Sequence, residues 1–443
     1  MSVLSSPKVS QSSGQPVAGP GPEGSAAQRK RTSRVGRFLD ARLRRMVFRR
    51  LRSLSEGQIA VVDLDGRHTF GPPVAGKSTL DLHVRDSRFY RRLALGGSLG
   101  AAEAYFMGYW DCDHLVDLMR LFCRDTTVSG GMEGGLARLT GPLQKIAHRL
   151  RRNTLGGSRR NIAAHYDLGD DFFSLFLDET MAYSCGIFSN PQSTLREASL
   201  AKFERAGRTL QLCGEDHLVE IGSGWGGFAL YAAKHYGCRV TTTTISSRQY
   251  EFTLRRVREE GLADRVTVLC DDYRNLLGQF DKLVSIEMIE AVGYEYFDTY
   301  FRACSDLLKP DGMTLLQAIT IPDQQFDRYC RSVDFIRRYV FPGGCLPSLG
   351  SICRSLGRVT DLRPVQLDDL TPHYARTLEH WRRRFDENID KVRALGFSEE
   401  FLRLWELYFC YCEAGFRERI IGDVQLLLCK PQCRRAAIAP ALD

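Results

Sequence analysis

The sequence predicts an α/β protein, a doubly wound parallel sheet with a smaller α+β domain on its N-terminal side. Apolar strand runs at 218–221, 238–242, 266–269, 282–286 and 313–319 alternate with helical patterns, the order that builds a parallel sheet. Between the first run and its helix lies Gly222-Ser-Gly-Trp-Gly-Gly. Its glycines reach backbone angles that a Cβ forbids, and the helix that follows presents free N–H groups to a ligand. Upstream, residues 57–90 alternate with a period of two instead. Ile59-Ala-Val-Val-Asp-Leu, a turn at Asp65-Gly66 and a second run from Arg67 to Phe70 read as a hairpin, which opens the smaller domain.

Taken in order, the 443 residues are enough for two or three domains, and a hydrophobic content of 43% supports sizeable cores. Residues 1–36, rich in Ser, Gly, Pro and Gln, bury too little to offset the entropy of ordering and read as a disordered tail. From Arg37 to Leu54, the residues Leu39, Leu43, Met46, Val47, Leu51 and Leu54 recur at helical spacing. Arg42, Arg44, Arg45, Arg49, Arg50 and Arg52 fill most of the other positions. Such a basic amphipathic helix either packs on its own domain with a solvated cationic face or is drawn to anionic lipid headgroups. The net charge of +8 fits the second reading, and no nucleic-acid recognition motif accompanies it. Residues 37–125 are therefore read as a lipid-contacting α+β domain. Its Gly96–Leu115 stretch of small and aromatic residues is either plain core or a surface facing an acyl chain. Residues 126–160, Gly- and Arg-rich, read as a linker, 161–433 as the main domain and 434–443 as a tail. Fourteen cysteines without paired metal spacing, and no secretory signal, point to a reduced, cytoplasmic setting without a bound metal. No apolar run reaches the ~20 residues of a spanning helix, so membrane contact is expected to be peripheral, at the inner face.

The glycine turn has the spacing G-x-G-x-G-G, with Glu220 at the end of the strand before it, and resembles motif I of the S-adenosylmethionine methyltransferases. The second strand ends Val240-Thr-Thr-Thr-Thr-Ile245, without the acid that usually receives ribose hydroxyls. The third ends in Asp271-Asp272-Tyr273, where a carboxylate can accept from an adenine amino group and an aromatic can stack on the ring. For these two acids a helix cap is the plainer alternative, and Asp170 or Asp171 reads as the cap of the helix carrying Phe172, Phe173 and Phe176.

Further segments make the resemblance specific. His165-Tyr-Asp-Leu-Gly-Asp-Asp-Phe-Phe, Tyr183-Ser-Cys-Gly-Ile-Phe, the glycine turn, Phe280-Asp-Lys-Leu-Val-Ser-Ile-Glu-Met-Ile-Glu-Ala-Val-Gly, Phe341-Pro-Gly-Gly-Cys and His373-Tyr-Ala-Arg-Thr-Leu occur in that order. Together they resemble the cyclopropane-fatty-acyl-phospholipid synthase and mycolic-acid methyltransferase family over roughly residues 160–430, and more loosely over 55–125. The resemblance implies a class I, Rossmann-like methyltransferase fold with S-adenosylmethionine as cofactor. By the same resemblance Thr244 and Gln249, beside Ile245, receive the ribose, and Tyr183 and Ser184 close over the methionine part. Glu220, Gly222, Gly224, Gly226, Asp271, Asp272 and Tyr273 complete the cofactor set.

The implied reaction is attack of the cis double bond of a phospholipid acyl chain on the sulfonium methyl, with loss of a proton as a cyclopropane ring closes. In the family bicarbonate is the expected base. Carried over by position, its cage comprises the backbone at Cys185, the carboxyl of Glu290, the backbone at Ile319 and the hydroxyl of Tyr374. Where many relatives carry His, this chain has Gln317, which donates hydrogen bonds but relays no proton. A methylene- or methyl-branched product, or a catalytically silent lipid-binding relative, thus stays open. So does a methyltransferase acting on a soluble small molecule. The expected partners are an anionic phospholipid surface and the unsaturated acyl chain, with homodimerisation left open.

Overall fold

Residues 34–125 and 168–435 are described by a computed structural model. The predicted tail up to residue 33, the predicted linker 126–160, the start of the histidine-bearing motif and residues 436–443 lie outside the described residues.

In the first unit α1 (Arg34–Leu51) precedes β1 (Ile59–Asp63), β2 (Gly66–Phe70) and β3 (Leu80–Val84), followed by α2 (Arg88–Phe106), β4 (Trp110–Asp111) and α3 (Leu115–Arg124). The alternation read from sequence becomes the β1–β2 hairpin, with Ile59 opposite Phe70 and Asp63 opposite Gly66. Because β1 also pairs in parallel with β3, the sheet order is β2-β1-β3-β4. Helix α1 buries Leu43, Val47 and Leu51, while Arg42, Arg45, Arg49 and Arg50 remain exposed. Arg44 departs from the expected cationic face. Its Nε donates to Asp63 at 2.7 Å, it lies 3.2 Å from Asp65, and its guanidinium covers the Phe48 ring. Helix α2 bends at Gly97, whose φ is 57°. A Cβ at Gly100 would lie 2.0 Å from the Arg92 carbonyl oxygen, so the bend depends on a residue without a side chain there.

The second unit holds β5 (His217–Ile221), β6 (Arg239–Thr243), β7 (Val266–Leu269), β8 (Phe280–Ile286), β9 (Leu308–Thr320), β10 (Arg363–Asp369) and β11 (Gly422–Cys429). Their order is β10-β11-β9-β8-β5-β6-β7. The sheet is parallel except for β11, which runs antiparallel to both β9 and β10. Strand β10 carries no apolar run, and its Val365 and Leu367 are exposed at the sheet edge, which is why the sequence does not announce it. The helices are α4 (Asp170–Ser174), α5 (Leu195–Leu210), α6 (Gly227–Tyr236), α7 (Ser247–Glu259), α8 (Phe297–Asp306), α9 (Asp323–Cys330), α10 (Leu349–Val359), α11 (Thr371–Glu387), α12 (Ile389–Ala394) and α13 (Glu399–Arg417). Successive strand residues feed opposite faces. Leu218, Val284 and Leu315 pack with Phe203, Phe228 and Val257 of α5–α7. Val219, Leu283 and Leu316 pack with Tyr300 and Ile352 of α8 and α10.

Helix α4 corrects one expectation. Its N-cap is Gly169, at φ 94°, and neither Asp170 nor Asp171 caps it with a side chain. Asp170 instead accepts the indole N–H of Trp225 at 2.8 Å, tying α4 to the glycine turn. Phe172, Phe173 and Phe176 are fully buried among Trp381, Trp405 and Phe409. That hydrophobic cluster continues without a break to Val61, Leu118 and α1, so the two units share a core. Ion pairs rim the junction. Glu418 accepts from Arg120 at 2.7 Å and Arg124 at 3.1 Å, and Arg403 pairs with Asp111 at 2.7 Å. Among the described residues no helix is long and apolar enough to cross a membrane.

Candidate active site

The parallel strands β5 to β9 end at one edge of the sheet, where a doubly wound fold binds its ligands. There a cavity of about 890 Å³ begins at the glycine turn, passes the ends of β8 and β9, and extends into the core of the first unit. Tyr183, Ser184, Glu220, Gly222, Gly224, Thr244, Ile245, Gln249, Asp271, Asp272 and Tyr273 all line it.

Three glycines of the turn have positive φ, yet their surroundings differ. A Cβ at Gly222 would come within 2.9 Å of Met288 Cγ, and one at Gly226 within 2.6 Å of Thr253 Cγ2. At Gly224 nothing lies within 4 Å. Gly226 is thus a packing position, absent from the cavity wall, whereas Gly224 faces the cavity. Behind the turn the buried Glu220 carboxyl accepts from Thr242 Oγ1 at 2.5 Å, and burial pushes it up to about 8. Thr244 donates to Gln249 Oε1 at 2.8 Å. Asp272 receives the Arg274 backbone N–H at 3.0 Å and its guanidinium at 2.7 and 2.8 Å, so it caps the turn at Tyr273–Asn275. Asp271 receives the Asp272 N–H at 2.8 Å and Asn275 Nδ2 at 2.9 Å. Asp272 thus does the capping work of the plainer reading and Asp271 does not, while both line the cavity. An open face at Gly224, helix N–H groups, paired Thr244 and Gln249, and Tyr273 beside two acids together fit S-adenosylmethionine.

Cys185, Glu290, Gln317, Ile319 and Tyr374 also converge, but around protein carboxyls rather than around a space for an anion. Glu287 Oε1 accepts from the Cys185 backbone N–H at 2.8 Å and from Gln317 Nε2 at 2.8 Å. Its Oε2 accepts from the Tyr374 hydroxyl at 2.6 Å. The Ile319 N–H donates to Glu290 Oε1 at 2.6 Å. Gln317 also donates to Asp423 at 3.1 Å and accepts from Gln425 at 3.0 Å. Every donor expected to hold bicarbonate is therefore bonded to a carboxyl of this chain, and three carboxyls crowd the place. Bicarbonate does not fit the cage as it is built. The Cys185 thiol, pushed well up by burial, has backbone carbonyls as its partners and is no nucleophile.

Glu287 and Glu290 are surrounded by protein, yet both keep accessible surface where they bound the cavity. Burial raises Glu287, against the opposing pull of Lys202 and of its three donors. Glu290 is pushed up to about 8 by burial and by Glu287. Asp423 is pushed well up by burial and by both glutamates. The fully buried Lys202, lowered by desolvation, donates to Ser184 Oγ at 2.5 Å. Three carboxyls near one lysine cannot all ionise. Of the three, Glu287 has the most donors, which favours its ionised form over those of Glu290 and Asp423.

Sequence reasoning passed over Glu287, Lys202 and Asp423. Glu287 ends an apolar strand run as Glu220 does, which is a usable signal. Lys202 shares the i, i+3, i+4, i+7 face of Leu195, Ala198, Ser199 and Ala206, a charge placed on a buried stripe. Asp423 carries no local mark.

Three comparisons bear on this geometry. The family model described as mycolic acid cyclopropane synthetase matches residues 154–426. Among characterised relatives, the tuberculostearic acid methyltransferase of Mycobacterium tuberculosis is 37% identical over 361 residues, covering 79% of this chain and 83% of its own. The cyclopropane-fatty-acyl-phospholipid synthase of Escherichia coli is 36% identical, covering 80% and 88%. A crystal structure of a mycolic acid cyclopropane synthase complexed with SAH and CTAB superposes with a TM-score of 0.58 at 32% identity, covering 61% of this chain and 98% of that one.

Proposed function

We propose, from the premise that this chain belongs to the mycolic acid cyclopropane synthetase family, that it uses S-adenosylmethionine to convert the cis double bond of an unsaturated phospholipid acyl chain into a cyclopropane ring. That it is an S-adenosylmethionine-dependent methyltransferase acting on lipids follows from the family. The observation that carries the finer reading is the continuity of one cavity from the glycine turn, past the carboxyl cluster, to an apolar arm lined by Leu51, Val61, Leu82, Phe89, Leu93 and Trp110. Bound at the turn, S-adenosylmethionine supplies an electrophilic methyl.

An alkene is a weak nucleophile, so the residues of this chain contribute position and dryness more than activation. The apolar arm takes the chain beyond its double bond, which presents the bond to the mouth of the cofactor site. Tyr183, held to Tyr408 by hydroxyls 2.9 Å apart, and Trp225 in the turn close the space against water. The carboxyl cluster lies at the junction and receives the proton. Exposed Arg42, Arg45, Arg49 and Arg50 on α1 suit a membrane surface rich in anionic lipid, from which the acyl chain enters.

A second reading, a methylene- or methyl-branched chain, is favoured by Gln317, whose bonds to Glu287, Asp423 and Gln425 leave it no proton to relay. It accords with the name of the tuberculostearic acid relative. Incubation with S-adenosylmethionine and vesicles of unsaturated phospholipid tests both. Mass spectrometry should show the gain of one CH2, and proton NMR the upfield ring signals. Vinylidene or branch-methyl signals instead would install the second reading, and the absence of any mass gain would remove both.

A further inference from the structure

We propose that the Glu287 carboxylate is the catalytic base of this enzyme and stands where a bicarbonate ion would otherwise be held; this rests on the acyl-modifying reading given above. The placement is the argument. The Cys185 N–H, the Gln317 amide and the Tyr374 hydroxyl lie at 2.8, 2.8 and 2.6 Å from its two oxygens, and these are the groups a bound oxyanion would use. The residue follows β8 at the carboxyl edge of the sheet and faces the cavity between the glycine turn and the apolar arm. Its backbone is left-handed, with φ 49°, and its own N–H is held by the Gln317 carbonyl at 2.8 Å. A non-glycine residue kept in that conformation is strain maintained by its surroundings, and such strain gathers at functional positions.

The charges around it suit a base. Lys202, Glu290, Asp423, Cys185 and Tyr374 are the titratable groups facing it. Glu287 accepts from three donors where Glu290 and Asp423 each accept from fewer, so of the three it is the carboxyl best stabilised as the anion. Being covalently fixed, hindered and engaged at both oxygens, it is poorly placed to capture the methyl itself.

In the step, the π pair of the double bond forms a bond to the methyl carbon while the sulfur–carbon pair stays with sulfur. A cation is left on the other alkene carbon. Glu287 takes a proton from the added carbon, and the freed C–H pair forms the second ring bond to the cationic carbon. Glu287 ends as the carboxylic acid and the substrate has gained CH2. If a hydride first shifts between the two former alkene carbons, the same proton removal gives the exocyclic methylene of the second reading, so the base is common to both.

The test uses the full chain with S-adenosylmethionine and unsaturated phospholipid vesicles. Wild-type turnover should be unchanged when dissolved carbonate is stripped and unchanged when it is restored. Glu287→Gly should lose about 10²- to 10⁴-fold in turnover and recover part of it on addition of bicarbonate or formate, whose carboxylate refits the vacated donors. The left-handed backbone favours glycine, so this variant should fold and keep its affinity for S-adenosylmethionine. Glu287→Gln, of the same shape, should be as impaired and not rescued. Independently of turnover, 13C NMR should detect no bound bicarbonate on the wild type and one bound ion on Glu287→Gly. Carbonate-dependent turnover in the wild type, bicarbonate bound to it, or a fully active Glu287→Gln would overturn the proposal while leaving the acyl-modifying reading intact. A wild type that modifies no lipid while the NMR pattern holds would remove that reading, and with it the base.

Discussion

The glycine turn shows how much one residue's surroundings decide. Gly224→Val places its methyls in open cavity, so the protein should fold despite the backbone strain a β-branched residue meets at φ 49°, and should lose S-adenosylmethionine binding by isothermal titration. Gly226→Val drives its Cβ into Thr253 at φ 83°, and should lower the melting temperature before any question of binding arises. Equal effects from the two substitutions would contradict this division. Glu220 and Glu290, both pushed up to about 8 by burial, make a second prediction. A carboxyl whose folded value is raised contributes stability that is complete below the ordinary carboxylate range and is lost as pH rises through about 8. Ligand-free wild type should therefore lose stability over that interval, by a few kcal/mol at most for each group, and the double variant Glu220→Gln, Glu290→Gln should lose visibly less in melts at matched pH.

Elements matter through the way they dock. Helices α2 and α3 carry part of the apolar arm, and they meet α13 through packed side chains and the shared Glu418 partner of Arg120 and Arg124. Glu418→Ala removes both ion pairs at once and leaves two neighbouring cations of α3 without their partner across a partly buried joint. The lipid KM should rise several-fold and the midpoint of thermal unfolding should fall. S-adenosylmethionine affinity should be unchanged, because Arg120, Arg124 and Glu418 are not among the residues that line the cavity. An unchanged lipid KM would show that the first unit does not shape the acyl path.

At the scale of the whole molecule, the exposed cations of α1 lie on the side of the helix away from the core shared by the two units. Neutralising Arg45, Arg49 and Arg50 together should weaken co-sedimentation with anionic vesicles and flatten its salt dependence, with folding and cofactor affinity intact. Arg44→Ala should behave differently. It breaks the buried pair with Asp63 and should destabilise the first unit whether or not lipid is present. Vesicle binding that survives the triple substitution at full strength would make α1 a structural helix alone.

Local patterns were enough for much of this protein. Strand runs such as Leu218–Ile221 and Leu283–Ile286, the hairpin about Asp65-Gly66 and the glycine turn are set by residues close in sequence, whose periodicity and backbone preferences speak for themselves. Grouping Cys185, Glu290, Gln317, Ile319 and Tyr374 was likewise within reach of sequence, through the family's motif order. What fills their centre was not. Glu287 is the partner because β8, β9, α11 and the segment after α4 bring residues 185, 287, 317 and 374 within hydrogen-bond distance, and no spacing along the chain encodes that approach. The same holds for Arg44, indistinguishable in the helical pattern from Arg45 until Asp63 comes to lie beside it, and for Asp170, which by type and position is a cap until Trp225 supplies its indole N–H. Periodicity determines which face of an element is buried; only the packed fold decides which polar group each buried charge meets, because that choice is made by side chains distant in sequence competing for the same few donors.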